Sequence, residues 1–194
     1  AILQSAGYKT GLYTSPHLKN FTERIRIDGT EADQAFVISF VEEHKALIEK
    51  VQPSFFEVTV VMAFQYFYLH KVDIAVIEVG LGGRLDSTNV VTPMVSLITQ
   101  IGYDHQDLLG ETLSEIAGEK AGIIKLGVPV VIGDDHKEQR GLFEAKAQNS
   151  HAGIRFSGDD YRVDHQIGEV MDIRGADLHF TVVPEIKGQY YLHN

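Results

Sequence analysis

The chain contains no cysteine. That absence excludes disulfide staples and thiolate metal sites, and with nothing to place the protein outside a reducing compartment a cytoplasmic location is expected. No apolar run approaches the ~20 residues that a membrane-spanning helix needs. Nor does a basic n-region mark a secretion signal: the chain opens "AILQSAGYKTG", without an initiator Met, and reads as the end of an amphipathic helix that begins upstream, so a fragment is expected. Positive charge is scarce too. Seventeen Lys and Arg against 27 Asp and Glu leave a formal net charge of −10, which argues against nucleic-acid and anionic-membrane partners, whose binding requires clustered cations. A nucleotide is still admissible, because a phosphate site is local and can be built from a few backbone N–H groups and one metal ion.

What is present is ordinary globular composition, 44% hydrophobic and 23% charged over 194 residues, enough for one full domain or a domain with a small appendage. Five β-branched segments read as strands: "TGLYTS" (10–15), "DIAVIEVG" (73–80), "MVSLITQIG" (94–102), "VPVVIG" (128–133) and "GIRFSG" (153–158). Most are apolar on both faces, the pattern of parallel strands covered by helices on each side. Between them lie helical patterns over 31–50, 55–70, 112–125 and 136–150; the third opens with Thr112 and has Glu115 three residues on, a capping-box start. The expectation is an α/β core over 1–158 with a mainly parallel sheet flanked by helices. From 159 to 194 "YRVDHQI", "EVMDIRG" and "DLHFTVV" read as a small antiparallel β appendage, with "RGAD" as its clearest turn.

In open parallel sheets, ligands bind beyond the carboxyl ends of the strands. There the sequence puts Ser15 in "TSPHL", Glu78 with Arg84 and Asp86 in "EVGLGGRLDSTN", and Asp104 with His105 in "GYDHQD". Glu78 stands inside an apolar run, where an ionised carboxylate is costly unless a cation or hydrogen-bond donors meet it. It reads either as a buried Glu satisfied by amides or an arginine, or, with the Ser15 hydroxyl, as an oxygen-donor pair suited to Mg²⁺. Imidazole suits a softer ion than Mg²⁺, so His105 alone reads as a structural hydrogen-bonder or an acid/base. "GLGG" (80–83) matches neither a dinucleotide fingerprint nor a phosphate loop. Lys120 has nothing in its spacing to separate it from a solvated lysine, and the aromatics of "SFFEV" (54–58) read as core or as a clamp for a flat ring.

Four blocks, "GLYTSPHLKNFTERIRIDG", "FFEVTVVMAFQYF", "VDIAVIEVGLGGRLDSTNVV" and "IGYDHQDLLGETLSEIAGEKAGIIK", resemble in order and spacing the central ATPase domain of folylpolyglutamate synthase and its dihydrofolate synthase relatives. These are members of the Mur ligase superfamily, with a P-loop NTPase-like central domain. The resemblance implies an ATP-dependent ligase in which a folate or dihydropteroate carboxylate is phosphorylated and the acyl phosphate is opened by the amine of L-glutamate; the protein's share is alignment and charge neutralisation. It further implies Mg²⁺ ligation by Ser15, Glu78 and His105, with His105 and a carbamylated Lys120 as catalytic contributors. Ser54, Phe56, Leu85, Asp86 and Ser87 fall where the family holds the pterin-bearing substrate. Asn194 falls near the adenine, although Tyr191 stands where the family usually has Gln.

The family's phosphate loop is expected upstream of residue 1 and its glutamate-binding domain downstream of Asn194, so the 194-residue chain alone is expected to be inactive. The family resemblance also implies a monomer. The alternatives are a murein-type peptide ligase and a non-catalytic nucleotide-binding module.

Overall fold

A computed structural model describes residues 1–133, 137–166, 170–176 and 178–183. The chain divides into two compact units, Ala1–Leu81 with Leu85–Val91, and Gly82–Arg84 with everything from Thr92 onward.

In the first unit a single helical turn, α1 (Ile2–Ser5), leads into β1 (Thr10–Tyr13), β2 (Ile25–Ile27), β3 (Thr30–Glu31), the long helices α2 (Gln34–Val51) and α3 (Phe55–Leu69), and β4 (Ile74–Ile77). The sheet order is β3-β2-β1-β4. β1 and β4 run parallel, with Thr10 opposite Ile74 and Tyr13 opposite Ile77. β2 and β3 were not anticipated and make this sheet mixed, with β2 antiparallel to both its neighbours. Their connection is Asp28-Gly29, both at positive φ, the left-handed pair that a tight hairpin turn demands. The Asp28 carboxylate also accepts the Thr10 N–H at 2.9 Å, which ties the turn to the start of β1.

α2 starts at Asp33, whose carboxylate accepts the Phe36 N–H at 2.7 Å, and stops at left-handed Gln52. α3 is helical despite its β-branched residues because one face is fully used: Thr59, Val60, Met62, Ala63, Tyr66 and Phe67 are buried. They pack with Tyr13, Ile25 and Phe40 in a single core. The fit is close enough that a Cβ on Gly11 of β1 would stand 2.8 Å from the Phe67 ring.

The second unit holds β5 (Ser96–Ile98), α4 (Gln106–Leu109), α5 (Leu113–Lys120), β6 (Val130–Ile132), α6 (Arg140–Asn149), β7 (Ile154–Phe156), the turn α7 (Ser157–Asp160), β8 (Tyr161–Gln166), β9 (Val170–Gly175) and β10 (His179–Val182). β5, β6 and β7 form a parallel sheet, with Ser96, Val130 and Ile154 in register. Its core joins Ile98, Ile116, Ile132, Phe143 and Phe156. β8, β9 and β10 form the expected antiparallel sheet. Within it Asp172 is buried and bonded to Arg174 at 2.6 Å and to His179 at 2.6 Å. The fold is α/β, with a parallel sheet flanked by helices and a small antiparallel sheet.

Three expectations need correcting. The strands are not covered on both faces: Val76 of β4 is 45% exposed and Leu97 of β5 is 56% exposed, because each strand lies at the edge of its sheet among the described residues. The helix expected over 112–125 opens with the Thr112/Glu115 capping box but ends at Lys120 and tightens into a 3-10 turn, Ala121–Ile123. That turn lays Gly122 against the Arg84 backbone, with a would-be Cβ only 2.3 Å from Arg84 Cα. The helix expected over 136–150 starts at Arg140, and His136 lies outside the described residues. Among the described residues no helix is long and apolar enough to cross a membrane.

Candidate active site

In the first unit the candidates gather at the carboxyl ends of β1 and β4. Glu78 is neither inside the strand nor buried, as the apolar run around it suggested; β4 ends at Ile77, and Glu78 is the exposed residue that follows. Its N–H still donates to the Tyr13 carbonyl at 3.0 Å. The carboxylate therefore emerges where the sheet stops, and water relieves the desolvation cost that the sequence context implied. One of its oxygens accepts the backbone N–H of Ser15 at 2.7 Å. Ser15 precedes a cis peptide bond to Pro16. Adjacent parallel strands thus bring together two residues 63 positions apart.

Ser54 and Phe56 sit at the start of α3. Ser54 is its N-cap: the Glu57 N–H donates to its hydroxyl at 3.2 Å, while its own N–H donates to the Glu57 carboxylate at 2.6 Å. Those bonds from Ser54 hold the Glu57 carboxyl below the usual glutamate range. The signature S-x-x-E was legible in "SFFE", as T-x-x-E was at Thr112. The Phe56 ring lies over Gly80, where a Cβ would stand 2.3 Å from it, and 6.1 Å from the Tyr13 ring. This close approach explains the first glycine of "GLGG". Beneath it the Tyr13 hydroxyl bonds the Thr59 hydroxyl at 2.8 Å, and burial pushes its pKa up.

Asp86 closes the loop on itself. One carboxylate oxygen accepts the Leu81 N–H at 2.9 Å and the other accepts the Thr88 N–H at 2.9 Å and its hydroxyl at 2.5 Å. Asp86 is thereby the N-cap of a 3-10 turn, Ser87–Val90. Leu85 beside it is 80% exposed, and Ser87 is half-buried.

In the second unit His105 has a left-handed backbone, φ 47°, at the N-cap of α4. Its N–H donates to Asp104 at 2.9 Å and its side chain is exposed. Lys120 ends α5, half-buried. Its neighbour Glu119 accepts from Arg84 Nη2 at 3.0 Å and from Nε at 3.2 Å, and the Arg84 N–H donates to the Glu119 carbonyl at 2.9 Å. No sequence spacing announced this pairing, because the partners are 35 residues apart. Asn194 and Tyr191 lie outside the described residues.

The donor chemistry at the first-unit site fits magnesium in a particular way. Among the described residues no group of three His, Asp or Glu side chains converges into a protein-only metal cage. Mg²⁺ seldom uses one; it is held by one or two carboxylates, water and the substrate's phosphates. A serine hydroxyl beside one accessible carboxylate, which has an oxygen left over from the Ser15 bond, is such a partial set.

No profile of a known protein family matches the chain. The chain is 47% identical over 138 residues to a dihydrofolate synthase/folylpolyglutamate synthase of Bacillus subtilis, covering 68% of this chain and 32% of that protein. It is 42% identical over 166 residues to a folylpolyglutamate synthase of Lacticaseibacillus casei, covering 81% and 39%. A solved structure described as an FPGS-AMPPCP-folate complex superposes with a TM-score of 0.88 at 35% identity, covering 99% of this chain and 50% of that one. The chain thus spans about a third of the length of the curated relatives it matches.

Proposed function

Since the chain belongs to the folylpolyglutamate synthase and dihydrofolate synthase family, we propose that it is part of an ATP-dependent ligase joining L-glutamate to the carboxylate of a folate or dihydropteroate. The observation that carries this reading is the likeness, over nearly the whole chain, to a structure described with an ATP analogue and folate bound. In the proposed reaction the substrate carboxylate takes the γ-phosphate of ATP, and the glutamate amine then displaces phosphate from the acyl phosphate as the amide forms. Such chemistry asks a protein mainly for alignment and charge neutralisation.

Ser15 and Glu78 are the proposed magnesium donors. Bound there, the ion would supply charge neutralisation on the nucleotide phosphates. For His105 as a further ligand, for Lys120 as a carbamylated lysine and for Asn194 near the adenine, the support is the motif match alone. Ser54, Phe56, Leu85, Asp86 and Ser87 are proposed to hold the pterin-bearing side. For three of these the structure supplies a local reason to be where they are: Ser54 caps α3, Phe56 covers Gly80 and Asp86 closes its loop.

The share of the relatives' length supports a further proposal. Residues 1–158 are an α/β portion of the nucleotide-binding domain and 159–194 its β appendage, and the phosphate loop and glutamate-binding domain belong to parts of a longer, monomeric cytoplasmic ligase. The test is ligation of radiolabelled glutamate with ATP and Mg²⁺, offering dihydropteroate, tetrahydrofolate or a nucleotide-linked muramoyl acceptor. The longer protein should use one or both pterin acceptors, and the 194-residue chain none. Glutamate transfer by the 194-residue chain alone would refute the division of labour, and use of the muramoyl acceptor would refute the substrate assignment.

A further inference from the structure

Lys120 closes α5, and among the described residues its amine makes no hydrogen bond or ion pair. Where that amine stands is therefore set by the backbone that carries it. The last turn of a helix leaves carbonyls without partners and frays readily. Here it is gripped on both sides of Lys120. Before it, the Glu119 carbonyl accepts the Arg84 N–H at 2.9 Å, and one oxygen of the Glu119 carboxylate accepts from Nη2 and Nε of the same arginine at 3.0 and 3.2 Å. After it, the turn Ala121–Ile123 is tied down by the Ser96 hydroxyl, which donates to the Ile123 carbonyl at 2.9 Å. Buried Gly83 lies against the peptide between the two: a Cβ there would stand 2.8 Å from the Glu119 carbonyl oxygen and 3.0 Å from that of Lys120.

Stability does not account for the arginine side chain. It is 57% exposed, and an ion pair so open to water adds little to the folded state, because screening and side-chain entropy offset the attraction. What the guanidinium adds is orientation. Main chain and side chain of Arg84 close on main chain and side chain of Glu119, so the end of α5 is held against rotation one residue from Lys120. A cation at a helix C-terminus also faces the negative end of the helix dipole.

We infer that Arg84 is a positioning residue for the proposed reaction, acting through Glu119 to hold the Lys120 amine in one place. The inference deepens the ligase reading above and rests on Lys120 having the role proposed there. A reacting geometry displaced by about 1 Å can lose about a hundredfold in rate, so a small rotation of the helix end is enough to matter.

The experiment is a double-mutant cycle on the full-length ligase: Arg84→Ala, Glu119→Ala and both together, with Lys120→Ala and Arg84→Lys beside them. Steady-state ligation, the melting midpoint and amide exchange at Ala121, whose N–H donates to the Ala117 carbonyl, are read for each. Either single variant should lose about 10- to 100-fold in kcat with KM within about twofold, since the loss falls on the transition state. The double variant should lose no more than the worse single one, the midpoint should stay within about 2 °C, and Ala121 should exchange faster in all three. Arg84→Lys, which keeps the charge and one donor, should recover part of kcat. Losses that multiply in the double variant would mean that Arg84 acts on something other than Glu119, and a lowered midpoint with unchanged kcat would mean that it only supports the fold. Either result overturns the inference, as does unchanged exchange at Ala121. Normal turnover by Arg84→Ala beside an inactive Lys120→Ala overturns the inference alone. Normal turnover by Lys120→Ala overturns the role of Lys120 and the inference with it, and a wild-type protein that ligates glutamate to no pterin acceptor overturns the ligase reading itself.

Discussion

Two glycines four residues apart make opposing predictions for the same chemical change. Gly122 lies with its Cα face on the backbone of Arg84: a Cβ there would stand 2.3 Å from both Arg84 Cα and Cβ and 2.6 Å from its N. Carbon atoms rest at about 3.5–4.0 Å, so Gly122→Ala must separate two backbone segments by more than 1 Å, with no flexible side-chain tip to yield. Overpacking of this kind costs about 1–3 kcal/mol. At about 2 kcal/mol, and about 2–4 °C per kcal/mol for a chain of this size, the melting temperature should fall by roughly 4–8 °C. Gly118, inside α5, has nothing within 4 Å of its would-be Cβ. Gly118→Ala should gain up to about 1 kcal/mol of helix propensity and raise the midpoint by a few degrees. Both variants are read by circular dichroism during heating. A Gly122→Ala protein as stable as wild type, or two variants shifted alike, would show that the close approach of Arg84 to the end of α5 is not tight in solution.

Glu78→Gln keeps an oxygen to accept the Ser15 N–H, so its melting temperature should stay within about 2 °C of wild type; ligation by the full-length enzyme should fall at least a hundredfold, and near-normal turnover would remove Glu78 from the magnesium site. Asp172 is held below the usual aspartate range by the Arg174 side chain and by His179. A depressed carboxyl stabilises the folded state at neutral pH and loses that contribution as pH falls through its folded value. Urea titrations should therefore find Asp172→Asn less stable than wild type at pH 7 and the gap closing below pH 4; a gap that is flat with pH would contradict the assignment.

How much of this was legible in the sequence varies from one element to another. The helices α2 and α3 and the parallel strands were readable because long apolar periodicity and β-branched runs survive any tertiary context. The Thr112 cap was readable because its chemistry is local. The hairpin β2–β3 carries a strong local signal, Asp-Gly between alternating Ile and Arg, but its strands are only three and two residues long and stand directly before a helical repeat that dominates the local pattern. Glu78 stands out in the sequence as a charge inside an apolar run, whereas the fold leaves it exposed just past the end of β4; its position at the edge of the sheet, not burial, is what makes its charge available. The Arg84–Glu119 bonds depend on which side chains the fold leaves beside each other, and no spacing in one sequence encodes that.

The two pairings of β1 differ in how far the chain must search to make them. Gly11 meets Ile27 in the antiparallel pair and Ala75 in the parallel one, separations of 16 and 64 residues by subtraction. Closing the longer loop costs about 1 kcal/mol more in chain entropy, before counting the helices that must already be placed between the strands. The hairpin side is therefore expected to form first and β4 to dock afterwards, an order that pulse-labelled amide exchange would reveal as protection of Thr14, whose N–H donates to the Arg24 carbonyl, before Glu78, whose N–H donates to the Tyr13 carbonyl. Since Glu78 meets Ser15 only when β4 is in register, the first unit would acquire its candidate catalytic edge at the last step of its folding, and anything that unzips β4 would silence the site while leaving most of the unit intact.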